Sequence, residues 1–122
     1  MGTRAVYTFK SHGEAFAVYK HWDNDPLCAS QFISQACLKA WDLPRFEADE
    51  FAAAFVAANK EKQGDVRLIK SARQCGDAAY FYEVEHDGTS LVVTCRDWER
   101  KRIFKGRLGE FATWAAAYAE AY

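Results

Sequence analysis

The pattern of hydrophobic and polar residues at the start of the chain predicts a β-hairpin of residues 3–10 and 14–21. The turn between the two strands is Ser11-His12-Gly13. Six mostly polar residues follow directly, and we call them the knuckle: His21-Trp22-Asp23-Asn24-Asp25-Pro26. Proline suits the first turn of a helix, and Asp or Asn suits its N-cap. We therefore expect the knuckle to lead from the hairpin into a helix.

Apolar residues then recur at three- and four-residue intervals, which predicts amphipathic helices at about 26–41 and about 47–62. Pro44 ends the first helix because a proline disfavours helical geometry in the residue before it. Gly64 is the natural stop of the second helix. We interpret both apolar stripes as core.

Two further strands are predicted at about 78–86 and 89–97, with Asp87-Gly88 between them. This dipeptide favours a two-residue type I′ turn, in which both positions have positive φ. The preceding segment, residues 65–77, fits either a short strand or a packed loop. The pattern leaves both alternatives open.

The chain ends with one more predicted strand at residues 101–106 and a last helix, marked by apolar residues from Leu108 to Ala119. The order ββααβββα contains no repeat or linker, so we predict a single domain of residues 1–122. Strands grouped before and after helices indicate an α+β fold, with an antiparallel sheet of about five strands and helices packed on one face. The opposite face of the sheet must then be solvated or used for binding.

The net charge and the hydropathy of the chain argue against several classes of function. The 16 basic and 17 acidic residues give a net charge of -1, which argues against wholesale binding to nucleic acid or to a membrane surface. No apolar run approaches the roughly 18 residues of a membrane span. Met1-Gly2-Thr3-Arg4 leads into a strand rather than into the apolar core of a signal peptide. We therefore expect a cytoplasmic protein without a membrane partner.

Cysteine spacing gives no sign of a metal or cofactor site. There is no C-x-x-C pair and no histidine at ligand spacing among the four cysteines, Cys28, Cys37, Cys75 and Cys95. We expect free thiols, with no metal and no cofactor. A disulfide between Cys75 and Cys95 is geometrically conceivable, but a reducing compartment disfavours it.

The open end of the hairpin is the first candidate binding site. If Lys10 pairs with Glu14 across the turn, antiparallel register puts Arg4 opposite Lys20. Like charges directly opposite each other destabilise a strand pair. We therefore expect an anion at this end, supplied by the aspartates of the knuckle or by a ligand.

His21 and Asp23 are the candidate catalytic pair. They lie at i and i+2 of a strand end and could project to the same side, where a carboxylate orients an imidazole for acid-base chemistry. The alternative, which we favour, is a polar strand cap in which Asp23 bonds backbone amides of the following helix. The sequence contains no nucleophile elbow, glycine-rich phosphate loop or metal-ligand spacing.

Basic residues concentrate near the end of the predicted sheet. Only Asp97 and Glu99 oppose them, and Trp98 and Phe104 are interleaved with the six basic residues Arg96, Arg100, Lys101, Arg102, Lys105 and Arg107. Basic and aromatic residues together suit an interaction patch for nucleic acid. Positive charge also suits an exposed edge strand, where it blocks unwanted pairing. We favour the edge strand.

Three separated motifs look like those of a known family. They are Thr3-Arg4, the run Tyr19-Lys20-His21-Trp22-Asp23 with Pro26 shortly after it, and Gly76-Asp77-Ala78-Ala79-Tyr80-Phe81-Tyr82-Glu83-Val84. Together they resemble a family of small uncharacterised proteins from phages, prophages and bacteria, although Asn24-Asp25 stands where that family has Gly-Tyr. The resemblance covers about the first 85 residues. It implies a phage origin and a site that contains Arg4, Lys20, His21, Asp23, Asp77 and Tyr82.

Three functions remain open. We favour a phage-type accessory protein of the bacterial host cell that acts by binding. It would either inhibit a host protein complex as an anti-defence protein, for example in an anti-CRISPR-like way, or sequester a nucleotide or phosphate ligand. The second is a phosphoester-acting enzyme with His21 as acid-base, Asp23 orienting it, and Arg4 and Lys20 stabilising the phosphate. The third is a structural module that forms homo-oligomers through an exposed patch on the C-terminal helix, made by Trp114, Tyr118 and Tyr122.

Overall fold

Residues 3–121 are described by the computed structural model, and within them three helices pack on a six-stranded sheet. The strands are β1 (Ala5–Ser11), β2 (Glu14–Lys20), β3 (Val66–Ile69), β4 (Tyr80–His86), β5 (Leu91–Arg96) and β6 (Arg102–Arg107). The helices are α1 (Pro26–Lys39), α2 (Ala48–Asn59) and α3 (Leu108–Ala121), with a short 3-10 turn at Ala72–Gln74. The predicted α+β class is confirmed. The sheet gains a sixth strand because part of the ambiguous segment, Val66–Ile69, pairs with β2.

The strand order is β3-β2-β1-β4-β5-β6. β1 and β4 pair in parallel, whereas every other neighbouring pair is antiparallel. The sheet is therefore mixed, and the prediction of a purely antiparallel sheet is wrong. A parallel pair needs a long crossover connection. The chain between β1 and β4 supplies one, because it carries α1 and α2 across the sheet.

The first hairpin has a tighter turn than predicted. Ser11 pairs with Glu14, so the turn is only His12-Gly13, with φ of 51° and 78°. Two consecutive positive φ values define the type I′ turn, whose twist matches that of the flanking strands. The predicted turn of three residues is wrong by one residue.

The shorter turn shifts the strand register by one residue, and this shift changes the faces on which the charged side chains lie. Lys20 pairs with Ala5, so Arg4 does not face Lys20 as predicted. Because successive side chains of a strand point to opposite faces, a shift of one residue in register exchanges the faces. Lys20 lies on the helix-covered face, and Arg4 lies on the open face.

The loop of the second hairpin is longer than predicted, whereas the turn of the first hairpin is shorter. His86 pairs with Leu91, so four residues, 87–90, connect β4 and β5 instead of two. The Asp87 carboxylate accepts hydrogen bonds from the amides of Thr89 and Ser90, both at 2.8 Å. This local side-chain capping stabilises the wider loop.

Aromatic residues fill the helix-covered face. Phe55 of α2 packs on Tyr7 and Phe9 of β1, with ring centroids 4.5 Å and 5.3 Å apart, and Tyr7 stacks on Tyr82 of β4 at 5.0 Å. All four rings are fully buried. Among residues 3–121, no helix is long and apolar enough to cross a membrane.

The C-terminal helix uses its aromatic residues inside the fold. Trp114 stacks on Phe104 of β6 at 5.0 Å, and Tyr118 stacks on Trp114 at 4.9 Å. Both side chains are half-buried. Trp114 and Tyr118 therefore pack against the fold with much of their surface and do not form the fully exposed patch that we expected. Tyr122, the third residue of that patch, lies outside the described residues.

The open face of the sheet carries a second, smaller apolar cluster. Val6, Tyr19 and Phe81 of the sheet are covered by residues 70–79, which we call the cover segment. Arg100 holds this segment in place, because its guanidinium lies 4.0 Å from the centre of the Phe81 ring and donates a hydrogen bond of 3.2 Å to the carbonyl of Ala72.

Candidate functional site: a basic groove on the open face

A buried asparagine fixes the knuckle. The Asn24 amide group donates to the carbonyls of Thr3 and Lys20 at 2.8 Å and 2.9 Å, and its side-chain oxygen accepts from the Tyr7 hydroxyl at 2.8 Å. The Tyr82 hydroxyl donates to the Asn24 carbonyl at 2.7 Å. Every polar group of this side chain is satisfied, so Asn24 fixes where β2 ends and where its last side chains point.

A groove of about 740 Å³ lies beside the knuckle on the open face, between the end of β2, strand β3 and the cover segment. Three of the six residues implied by the family resemblance line it: Arg4, His21 and Asp77. The other lining residues are Tyr19, Arg67, Leu68, Ile69, Lys70, Gln74 and Cys75. We call this site the basic groove.

The parallel pairing of β1 with β4 brings Arg4 and Asp77 together. The Arg4 carbonyl accepts a hydrogen bond of 2.8 Å from the amide of Ala79, and the Arg4 guanidinium forms an ion pair with the Asp77 carboxylate. A hydrogen bond from the Cys75 thiol and the charge of Arg4 lower the pKa of Asp77 below its ordinary value. Asp77 is therefore a carboxylate at neutral pH and offsets one of the positive charges of the groove.

Apart from the ion pair of Arg4 with Asp77, the charged side chains that line the groove are positive. Arg67 and Lys70 line it, and no ion pair within residues 3–121 involves either of them. With Arg4 included, three cationic side chains face one carboxylate. Such a concave cluster of cations attracts anions from solution.

A tyrosine and a histidine form one wall of the groove. The Tyr19 hydroxyl and His21 Nδ1 are 2.6 Å apart. The Arg67 guanidinium lies 4.8 Å from the centre of the Tyr19 ring. Burial raises the pKa of Tyr19, although the charges of Arg4 and Arg67 partly oppose the shift. The two groups share one hydrogen bond, and the tautomer of His21 sets which of them donates.

The surroundings of Cys75 disfavour the thiolate form of its side chain. Burial is the main cause that raises the pKa of the thiol, and the neighbouring Asp77 carboxylate, 3.4 Å from Sγ, raises it further. A protonated thiol is a poor nucleophile. All four cysteines are free, and Cys75 lies in the open-face cluster while Cys95 lies in the main core.

The other residues implied by the resemblance lie elsewhere. Lys20 and Asp23 line a second pocket on the helix-covered side of the knuckle. Tyr82 is fully buried in the main core, where its hydroxyl bonds the knuckle backbone. The six residues therefore do not form one cluster. The structure divides them between two pockets and the core.

The candidate pair of His21 with Asp23 does not form, and neither does the favoured alternative, a bond from Asp23 to backbone amides of the following helix. His21 Nδ1 bonds Tyr19, and the structure shows no hydrogen bond from Asp23 to His21 or to an amide of α1. Asp23 has a positive φ of 60° and an exposed side chain. The N-cap of α1 is Asp25, which makes no side-chain capping bond.

The predicted basic patch is divided between structural and exposed positions. Arg96 pairs with Glu83 at 3.0 Å, and Arg100 binds the cover segment. Lys101, Arg102, Lys105 and Arg107 are exposed. All but Lys101 belong to β6, which is an edge strand. An edge position fits the favoured interpretation that this charge blocks unwanted pairing.

Sequence reasoning missed Tyr19, Arg67 and Lys70 as groove residues. Arg67 and Lys70 belong to the segment whose conformation the pattern left open, and Tyr19 alternates with core residues of β2 like any sheet residue. The positive charges of residues 65–77 were the available signal. Their convergence on the hairpin end depends on β3 pairing with β2.

Comparison of the chain with protein-family models, with curated proteins and with solved structures gives no match.

Proposed function

We propose that the protein acts by binding a small phosphorylated ligand, such as a nucleotide, in the basic groove. The observation that carries the proposal is the position of Arg67 and Lys70, two cations without an ion pair in residues 3–121, beside Arg4. Arginine recognises phosphate through paired N–H donors, and lysine adds a point charge.

An aromatic wall extends the recognition beyond phosphate. The ring of Tyr19 and the imidazole of His21 lie next to the cations. Tyr19 is buried and Arg67 lies over its ring, so the half-buried imidazole of His21 is the ring on which a nucleobase would stack. A nucleotide presents both features, a phosphate for the cations and a base for the wall.

A binding role fits the proposed phage-type accessory protein that sequesters a nucleotide in a bacterial cell. An inhibitory role against a host protein complex rests on the family resemblance, and no contact in the structure favours it. A phosphoester-acting enzyme that relies on His21 and Asp23 has less support, because those two side chains line different pockets.

Calorimetric titration with adenosine, AMP, ADP and ATP tests the proposal. We expect affinity to rise with the number of phosphates and to fall as salt is added, because exposed charges are screened. Arg67→Ala should weaken ATP binding by about tenfold or more, the loss expected for a hydrogen bond to a charged group. Asp77→Asn should tighten binding, since it removes the negative charge beside Arg4.

Arg102→Ala is the matched control because it removes an exposed arginine from β6, at the far edge of the sheet. Equal weakening by Arg67→Ala and Arg102→Ala would show nonspecific attraction and contradict a groove site. Chromatography of the nucleotide after incubation measures turnover. Turnover that His21→Ala abolishes, while binding persists, would make the protein an enzyme.

A further inference from the structure

A second pocket, of about 400 Å³, lies on the other side of the knuckle from the basic groove. It is formed where the knuckle, α1 and the loop after α2 meet on the helix-covered side of the sheet. Its lining includes Lys20, Trp22, Asp23, Phe32, Glu61 and Asp65. We call it the knuckle pocket, and the proposed nucleotide site does not use it.

A buried ammonium group lines the knuckle pocket. Lys20 is only 6% exposed, and its Nζ lies 3.9 Å from the centre of the Phe32 ring. The structure gives this group one acceptor, the carbonyl of Trp22 at 2.7 Å. An ammonium has three N–H donors. Lys20 therefore retains donors for a ligand, and a buried unsatisfied donor is costly.

A buried carboxylate with an unused oxygen lines the same pocket. Asp65 is 5% exposed, and its Oδ2 accepts from the amides of Glu61 and Lys62 at 2.9 Å and 3.1 Å. Within residues 3–121 its Oδ1 has no hydrogen-bond partner, and it forms an ion pair with Lys60, whose Nζ is 3.9 Å away. Buried polar atoms without a partner are uncommon in folded proteins. The pocket thus contains an acceptor without a hydrogen bond as well as unused donors.

We propose that the knuckle pocket binds a zwitterionic α-amino acid. Its carboxylate would accept from Lys20, and its ammonium would face the carboxylates of Asp65, Asp23 and Glu61. Three carboxylates and two cations, Lys20 and Lys62, line the pocket, and Lys60 forms an ion pair with Asp65. Charges of both signs are therefore close to balanced, which suits a zwitterion better than an ion of a single charge. Trp22 and Phe32 provide apolar surface for the ligand's side chain.

Thermal unfolding of the full chain with each of the common free L-amino acids tests the proposal. A bound ligand at about ten times its Kd should raise Tm by roughly 4 to 6 °C in a domain of this size. For any amino acid that binds, the amide and the N-acetyl derivative each remove one of its two charges. We expect both derivatives to bind at least about tenfold more weakly.

Two substitutions locate the site. Lys20→Met retains the packing on Phe32 but removes the donors, and Asp23→Asn removes an exposed charge without altering the core. Both should weaken binding, Lys20→Met by more. Arg67→Ala, a groove variant, should bind the amino acid as the wild type does. In NMR spectra the Trp22 indole N–H should shift on binding, while that of the exposed Trp98 serves as the reference.

Several outcomes would overturn the proposal. One is that no free amino acid binds. Another is that either blocked derivative binds as tightly as the free amino acid, or that the Trp22 indole does not respond. If Lys20→Met does not fold, wild-type affinity in Asp23→Asn decides against the site. Loss of nucleotide binding in Arg67→Ala, with amino acid binding retained, distinguishes this site from the basic groove.

Discussion

The two faces of the sheet consist of the same strands but contain different chemistry. On the helix-covered face, β1 and β4 contribute Tyr7, Phe9 and Tyr82 to an aromatic core that all three helices cover. On the open face the same strands contribute Val6 and Phe81 to a smaller cluster beneath the cover segment. The rest of that face carries paired charges and the basic groove.

This difference separates stability from recognition. Burial of large apolar side chains is the dominant favourable contribution to folding, and the helix-covered face contains most of it. Exposed cations contribute little to stability. The open face therefore tolerates charges such as Arg67 and Lys70, to which we assign the proposed binding role. The predictions below test this division, in order of decreasing effect on the free energy of unfolding.

Truncation of a core ring should have the largest effect. Phe55→Ala removes the ring that packs between Tyr7 and Phe9, and the remaining cavity should lower the free energy of unfolding by about 3 to 5 kcal/mol. Phe16→Ala is the control, because Phe16 of β2 is 38% exposed. Chemical denaturation measures both. Similar losses in the two variants would contradict the assignment of Phe55 to a tightly packed core.

Loss of the knuckle asparagine should come next. Asn24→Ala leaves the Tyr7 hydroxyl and two backbone carbonyls without their partner, and we expect a loss of about 2 to 4 kcal/mol. In a Tyr7→Phe background the same substitution should cost less, because one of the buried polar groups is already gone. Additive losses in this double-mutant cycle would mean that Asn24 and Tyr7 do not stabilise each other.

The central ion pairs of the open face should have a moderate, pH-dependent effect. Glu83 accepts from Lys10 at 2.9 Å and from Arg96 at 3.0 Å. Burial raises the pKa of Glu83, but these two hydrogen bonds outweigh it, so the pKa lies below its ordinary value of 4.5. The stabilisation is therefore complete above that ordinary pKa and is lost as pH falls through the lower pKa of the folded protein.

Glu83→Gln should consequently lower the free energy of unfolding by about 1 kcal/mol at neutral pH, and the difference from the wild type should shrink in acid. Glu85→Gln is the matched control on the same strand and face, and the Glu85 side chain has no ion pair or hydrogen bond with any of residues 3–121. Unfolding curves measured across the acid range provide the test. A constant difference at all pH values would exclude the ion pairs as its cause.

Removal of a groove cation should have the smallest effect on stability. Arg67→Ala takes away an exposed side chain without an ion pair, so the free energy of unfolding should change by no more than about 0.5 kcal/mol. The same variant should lose most of its nucleotide affinity. A larger destabilisation, comparable with that of Glu83→Gln, would show that Arg67 stabilises the fold and would weaken the argument for a binding role.

The local elements of the fold were predictable from neighbouring residues alone. Apolar spacing located α1, α2 and α3, and turn residues separated the strands, because these signals act over a few residues. The segment containing β3 was ambiguous. Four residues pair on one side only, so local preference does not decide between strand and loop.

Only the tertiary structure decided which residues meet. The His12-Gly13 turn sets a register that differs by one residue from the predicted one, and this places Lys20 in the knuckle pocket and Arg4 in the basic groove. The parallel pairing of β1 with β4 then brings Asp77 to Arg4, 73 residues apart in the chain. The physical reason is that side chains in a strand alternate between faces, so the residues that meet in each pocket depend on register and on long-range pairing that local sequence does not encode.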